Sequence, residues 1–140
     1  MTAETQFPVR IRSGGRWDRI GSAGWLVVEP GAVRWEFEQN RLRRTARRIA
    51  TSEPPPPPVI HARLPITILR SRLAPPGVNR MLLLEGEEAT VVVEAWLRWP
   101  RIRQALAAAG IPTAERVEWF SLGARELRAA NAARDAPASS

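Results

Sequence analysis

Apolar residues recur with a period of two over much of residues 7–96 and with a helical period from Trp99 onward, so strands precede helices along the chain. Phe7, Val9 and Ile11 alternate with Pro8, Arg10 and Arg12, the pattern of a half-buried strand with its proline near the start. Ser13-Gly14-Gly15 turns the chain, and residues 16–20 read as a short strand before the glycines at 21 and 24. Residues 25–29 and 32–38 predict a hairpin around Pro30-Gly31, because proline sets φ and glycine accepts φ > 0 at the centre of a type II turn. In its second arm Val33, Trp35 and Phe37 share a dry face, while Arg34, Glu36 and Glu38 share a wet one. Residues 59–64 and 66–73 are strand-like on either side of Pro65, which marks an edge or a bulge.

The clearest punctuation lies between Asn79 and Gly110. Met81-Leu82-Leu83-Leu84 and Val91-Val92-Val93 are apolar at every position, which suits a sheet covered on both faces. They predict strands over 80–84 and 89–96 around the turn Glu85-Gly86-Glu87. A helix follows over 99–109, with Pro100 near its first position, Ile102, Ala105, Leu106 and Ala109 on one side, and Gly110 as a left-handed cap. This hairpin with a helix laid across it is the predicted nucleus. Thr113 then caps a second helix, with Glu115 near its N-terminus and Val117, Phe120, Ala124 and Leu127 at helical spacing.

Residues 40–58 interrupt the strands. Arg41, Arg43, Arg44, Arg47 and Arg48 crowd one stretch, and five prolines, Pro54–Pro58, follow it. A proline run is extended and cannot donate to a ladder, so 40–58 reads as an insertion loop, with a short basic helix over 41–50 as the alternative. The division is one domain over 1–112, a C-terminal helix over 113–131 and a disordered tail over 132–140.

Seven or eight short antiparallel strands built from hairpins and closed by a C-terminal helix resemble a small bacterial pleckstrin-homology-like (PH-like) domain, an α+β barrel or sandwich. The resemblance rests on residues 25–37 as an early hairpin, Pro65-Ile66-Thr67-Ile68 as a middle strand, 81–96 as the last hairpin and 99–110 as the helix plugging one end. The arginine and proline insertion and the helix after Pro112 depart from the pattern. The resemblance implies a docking module for lipid headgroups, peptides or proteins, and such barrels seldom act as enzymes.

Composition narrows the chemistry. The 140 residues contain no cysteine, no lysine, no tyrosine and one histidine, His61. Disulfides, thiolate nucleophiles, sulfur metal ligands, Schiff bases and phosphate-loop lysines are therefore excluded, leaving His61 or a carboxylate for any acid–base role. A lone histidine beside a polyproline run reads as structural, so no catalytic residue, metal site or cofactor is expected. All 21 basic residues are arginine, against 14 acids, for a net charge of +7. Arginine in place of lysine fits a GC-rich genome, which weakens arguments from arginine count alone. No run approaches the roughly 18 apolar residues of a membrane span, and Met1–Gln6 lack a secretory layout, so a soluble cytoplasmic protein, peripheral at the inner membrane face, is expected.

The candidate partner-binding residues are Arg41, Arg43, Arg44, Arg47, Arg48, Arg98, Trp99 and Arg101. Guanidinium groups fork onto phosphate or carboxylate oxygens, and the Trp96-Arg98-Trp99 alternation fits an interfacial belt or stacking platform. The plainer alternatives are a solvated basic loop and tryptophans that pack at a strand-to-helix junction. Glu85, Glu87 and Glu88 form either a solvated turn or a weak cation site. Trp119-Phe120 reads as an anchor for the last helix, and Pro54–Pro58 as a stiff spacer or a ligand for aromatic grooves. The reading is a non-enzymatic module that engages an anionic membrane surface or an acidic protein partner. Nucleic-acid binding, driven by the same charge, and a role as accessory subunit of a larger assembly are the alternatives.

Overall fold

Alternation at Phe7, Val9 and Ile11 becomes strand β1 (Thr5–Arg12), which buries those three side chains and leaves Gln6, Pro8 and Arg10 exposed. The computed structural model describes residues 4–13, 21–50, 61–72, 80–87, 89–118, 127 and 129. The expected short strand over 16–20, the proline run, Glu88, Trp119-Phe120 and the tail over 132–140 lie outside them. Strands β2 (Ser22–Glu29) and β3 (Ala32–Phe37) form the expected hairpin, with Gly31 at a φ of 73° in the turn. Strands β4 (Ile66–Ser71), β5 (Arg80–Glu85) and β6 (Thr90–Glu94) follow as a second antiparallel set. The two sets meet where Arg10, Ile11 and Arg12 of β1 pair with Glu94, Val93 and Val92 of β6.

The result is one seven-stranded mixed sheet in the order β3-β2-β1-β6-β5-β4-β7, where β7 (Thr113–Glu118) runs parallel to β4. The expected closed barrel is not formed. Among the described residues the edge strand β3 is met by a bridge from Arg34 to His61, and β7 occupies the outer side of β4, so the two ends of the sheet do not pair. Of the strand expected over 59–64, that bridge is the described part.

Two further expectations are corrected. Residues 113–118 are a strand and not the start of a second helix. Helix α2 (Trp99–Ala108) ends at Gly110, φ 71°, and the Ile66 amide donates to the Pro112 carbonyl, which aligns the next residues with the unpaired side of β4. Satisfying that row of backbone groups outweighs the weak local helical spacing. Leu127 is helical and buried, as its spacing implied, but against the opposite sheet face. The 40–58 insertion is likewise not a loop at its start, where Glu38–Ala50 form helix α1, the alternative weighed above. Arginine, leucine, alanine and glutamine are good helix formers, and Glu38 sits at the positive N-terminal end of the dipole.

Side-chain alternation sorts the core by face. Phe7, Val9, Ile11, Leu26, Val28, Val33, Ile66, Ile68, Leu82, Leu84, Val91 and Val93 point to one side, where Ile102 and Leu106 of α2 seal them. Each such helical residue, fully buried, is worth roughly 1.5–3 kcal/mol. Leu69, Leu83 and Val92 point to the other side and meet Leu127, so the continuously apolar strands are covered on both faces. The far end of α2 is fastened to the first hairpin, since the Gly31 amide donates to the Ala109 carbonyl at 2.8 Å. Gly24 marks a close approach between strands: an added Cβ meets Ile11 Cδ1 and comes within 2.7 Å of the Glu36 carbonyl oxygen.

Candidate functional site

Helix α1 follows directly from β3 and lies against β2 and β3 on the face away from α2. Glu36, expected on a wet face, is only 9% exposed, because arginines of α1 close over it. Arg41 Nε reaches Glu36 Oε2 at 3.1 Å, and Arg44 Nη2 contacts Glu36 Oε1. The Arg41 guanidinium also stacks 4.5 Å from the centroid of the Trp25 ring, whose Nε1–H donates to Glu38. A cation over an indole face beside a buried carboxylate is a strong local clamp. Thr45 donates to the Arg41 carbonyl and continues the same edge of the helix.

This clamp divides the arginine cluster. Arg41 and Arg44 hold the helix down and are not available as free anion ligands. Arg43 is exposed on the solvent side with Leu42, which is 60% exposed, and Ala46. Among the described residues no ion pair involves Arg43. Arg47 and Arg48 occupy the last turn of α1, with position 47 one turn beyond Arg43.

The second group of candidates sits where β6 runs into a 3-10 turn (Trp96–Arg98) and then α2. Arg98 and Arg101 are exposed. Trp99 is half-buried and packs against the main core, so the plainer alternative describes it. Directly before Arg98 in sequence stands Leu97, 93% exposed, the most exposed large apolar side chain among the described residues. Pro100, also exposed, lies at the start of α2 and stiffens this junction.

Other polar residues have local structural partners. Arg12 and the buried Glu94 pair at 2.6 Å across the β1–β6 seam. Arg34 joins Glu29 at 2.8 Å, and His61, exposed, stands 3.9 Å from the same Glu29 carboxylate. Glu85 and Glu87 are exposed at the β5–β6 turn. Among the described residues no three of His, Asp and Glu lie together so as to hold a metal ion, and no helix is long and apolar enough to cross a membrane.

Comparison with protein-family models, curated proteins and solved structures gives no match. Function has to be argued from the residues themselves. The sequence patterns that found the arginines missed Glu36 as their counter-ion and Leu97 as an exposed prong. Glu36 alternates with apolar residues like any solvent-facing strand residue, and only the fold-back of α1 covers it. Leu97 continues an apolar strand in sequence, and only the 3-10 turn expels it from the sheet.

Proposed function

We propose that the chain is a non-enzymatic, PH-like docking module that settles on an anionic lipid surface, such as the inner face of a membrane. Strand order supports the architectural half of this reading: two three-stranded meanders, β1–β3 and β4–β6, join through β1 and β6, and a helix follows the last of these strands. His61, bridged to Arg34 on the free edge of β3, stands where a further strand would continue the first meander.

The functional half rests on Leu97. An almost fully exposed leucine followed closely by the exposed Arg98 and Arg101 has the chemistry of an interfacial anchor: its apolar end enters the headgroup boundary while guanidinium groups meet phosphates. A bilayer accepts a single protruding leucine anywhere, whereas a protein partner needs a pocket matched to it. Full burial of the leucine contributes roughly 1.5–3 kcal/mol, and each arginine near an anionic surface about 1 kcal/mol. Arg43 and Leu42 on the outer side of α1, with the overall charge of +7, add to the same attraction.

The test is co-sedimentation with vesicles of neutral lipid, with and without an anionic lipid, at low and high salt. Wild type should pellet with the anionic vesicles at low salt, and Leu97→Ser or Arg98→Gln with Arg101→Gln should weaken binding by roughly fivefold or more. Protein left in the supernatant, or a Leu97→Ser variant that binds as wild type does, overturns the reading. Should bare vesicles coincide with a salt-sensitive shift of duplex DNA, nucleic-acid binding replaces it.

A further inference from the structure

Apart from this surface, a cleft of about 350 Å³ opens between α2 and the β4–β7 side of the sheet. Ligand pockets run from about 300 to 1,000 Å³, so it suits a small organic molecule rather than a two-chain lipid. Trp99 and Arg103, one turn apart on α2, form one wall, and Ile68 with Leu106 forms an apolar floor. Arg80, only 9% exposed and engaged within the protein, brings a buried positive charge to the lining. Glu115 is the one acid in the lining, and Arg70 balances it at 3.2 Å.

We propose that this cleft binds a small ring-bearing carboxylate. The indole of Trp99 and the apolar floor take the ring, while Arg103 closes on the carboxylate. Three features point to that class. Arg103 is exposed and forms no ion pair among the described residues, so a guanidinium fork stands at the rim of a cleft of mixed lining with an apolar floor. With Glu115 balanced by Arg70 and Arg80 engaged within the protein, the exposed Arg103 leaves the mouth of the cleft positive and disfavours cations. Half-buried Trp99 lines the cleft, so part of the indole remains accessible to a ligand ring after core packing. A phosphate alone would leave the floor unused, and a neutral ring would leave Arg103 unanswered. The proposal is independent of lipid docking, since the prong residues Leu97, Arg98 and Arg101 are absent from the lining.

The probe is 1-naphthoate, added to the full-length, isotopically labelled chain and followed by amide chemical shifts, with 1-naphthalenemethanol as the neutral control and inorganic phosphate as the ring-free one. Naphthoate should move amides of residues 99–107 and 113–115, with the alcohol and phosphate each weaker by roughly tenfold or more. Arg103→Gln, at an exposed helix position, should weaken naphthoate to a similar degree. Ala107→Leu, also exposed and in the lining, should block it by filling the cleft. No saturable shift at millimolar naphthoate, equal binding of the alcohol, or unchanged binding by both folded variants overturns the proposal.

Discussion

Glu36 shows how one carboxylate can reassign a whole cluster of charges. Its side chain is nearly buried, with Arg41 at 3.1 Å and Arg44 in contact, and the stacked Trp25 shields the group from water. Removing that charge leaves two guanidinium groups partly covered and uncompensated. Glu36→Gln should therefore cost about 1–3 kcal/mol in urea unfolding, whereas Arg43→Gln on the outer side should change stability by less than about 0.5 kcal/mol. Equal midpoints for the two variants would show that Glu36 does not hold α1. The arginines were legible in the sequence as a cluster, because composition is local. Their division into clamp and surface was not, since it depends on which side of α1 meets β3.

Among the elements, those written by local chemistry are the ones that match their patterns. The β2–β3 hairpin follows from Pro30-Gly31, and α2 from Pro100, its apolar stripe and Gly110. Helix α1 has helix-forming residues but takes its placement from contact with Glu36, and strand β7 is recruited against its local spacing by the open side of β4. Dependence on such contacts predicts an order of local opening. Amides of β5 and β6, paired on both sides and covered on both faces, should exchange slowest with solvent, and those of β7, an edge strand with four exposed residues, among the fastest of the strands. Native-state hydrogen exchange measures this directly, and equal protection of β6 and β7 would contradict it. The apparent helix over 113–131 illustrates the mechanism: spacing at Val117 fits a helical stripe, yet a vacant ladder edge offers backbone hydrogen bonds that a short exposed helix cannot better.

For the whole molecule, the decisive junction is narrow. Three residue pairs between β1 and β6 join the two meanders. They are reinforced by the 2.6 Å Arg12–Glu94 pair on one face and by α2 on the other, whose buried Ile102 and Leu106 sit in a core shared by both meanders. A shared core makes partial unfolding costly. Tryptophan fluorescence, summed over all six tryptophans, and far-ultraviolet circular dichroism should thus trace one coincident urea transition. An earlier fluorescence transition would mean that part of the chain unfolds before the sheet does. Residue order along the chain was enough to establish the proline-glycine hairpin, the doubly covered apolar strands, the α2 lid and a strongly basic character, because each depends on composition or on neighbours within a few positions. It did not settle that α1 would precede β4 or reveal that a strand would follow α2. The open seven-stranded sheet, the parallel β7, the burial of Glu36, the expulsion of Leu97 and the Trp99–Arg103 cleft arose only from the fold. Each joins residues far apart in the chain, and pairing energy between distant segments leaves no periodic mark in either one.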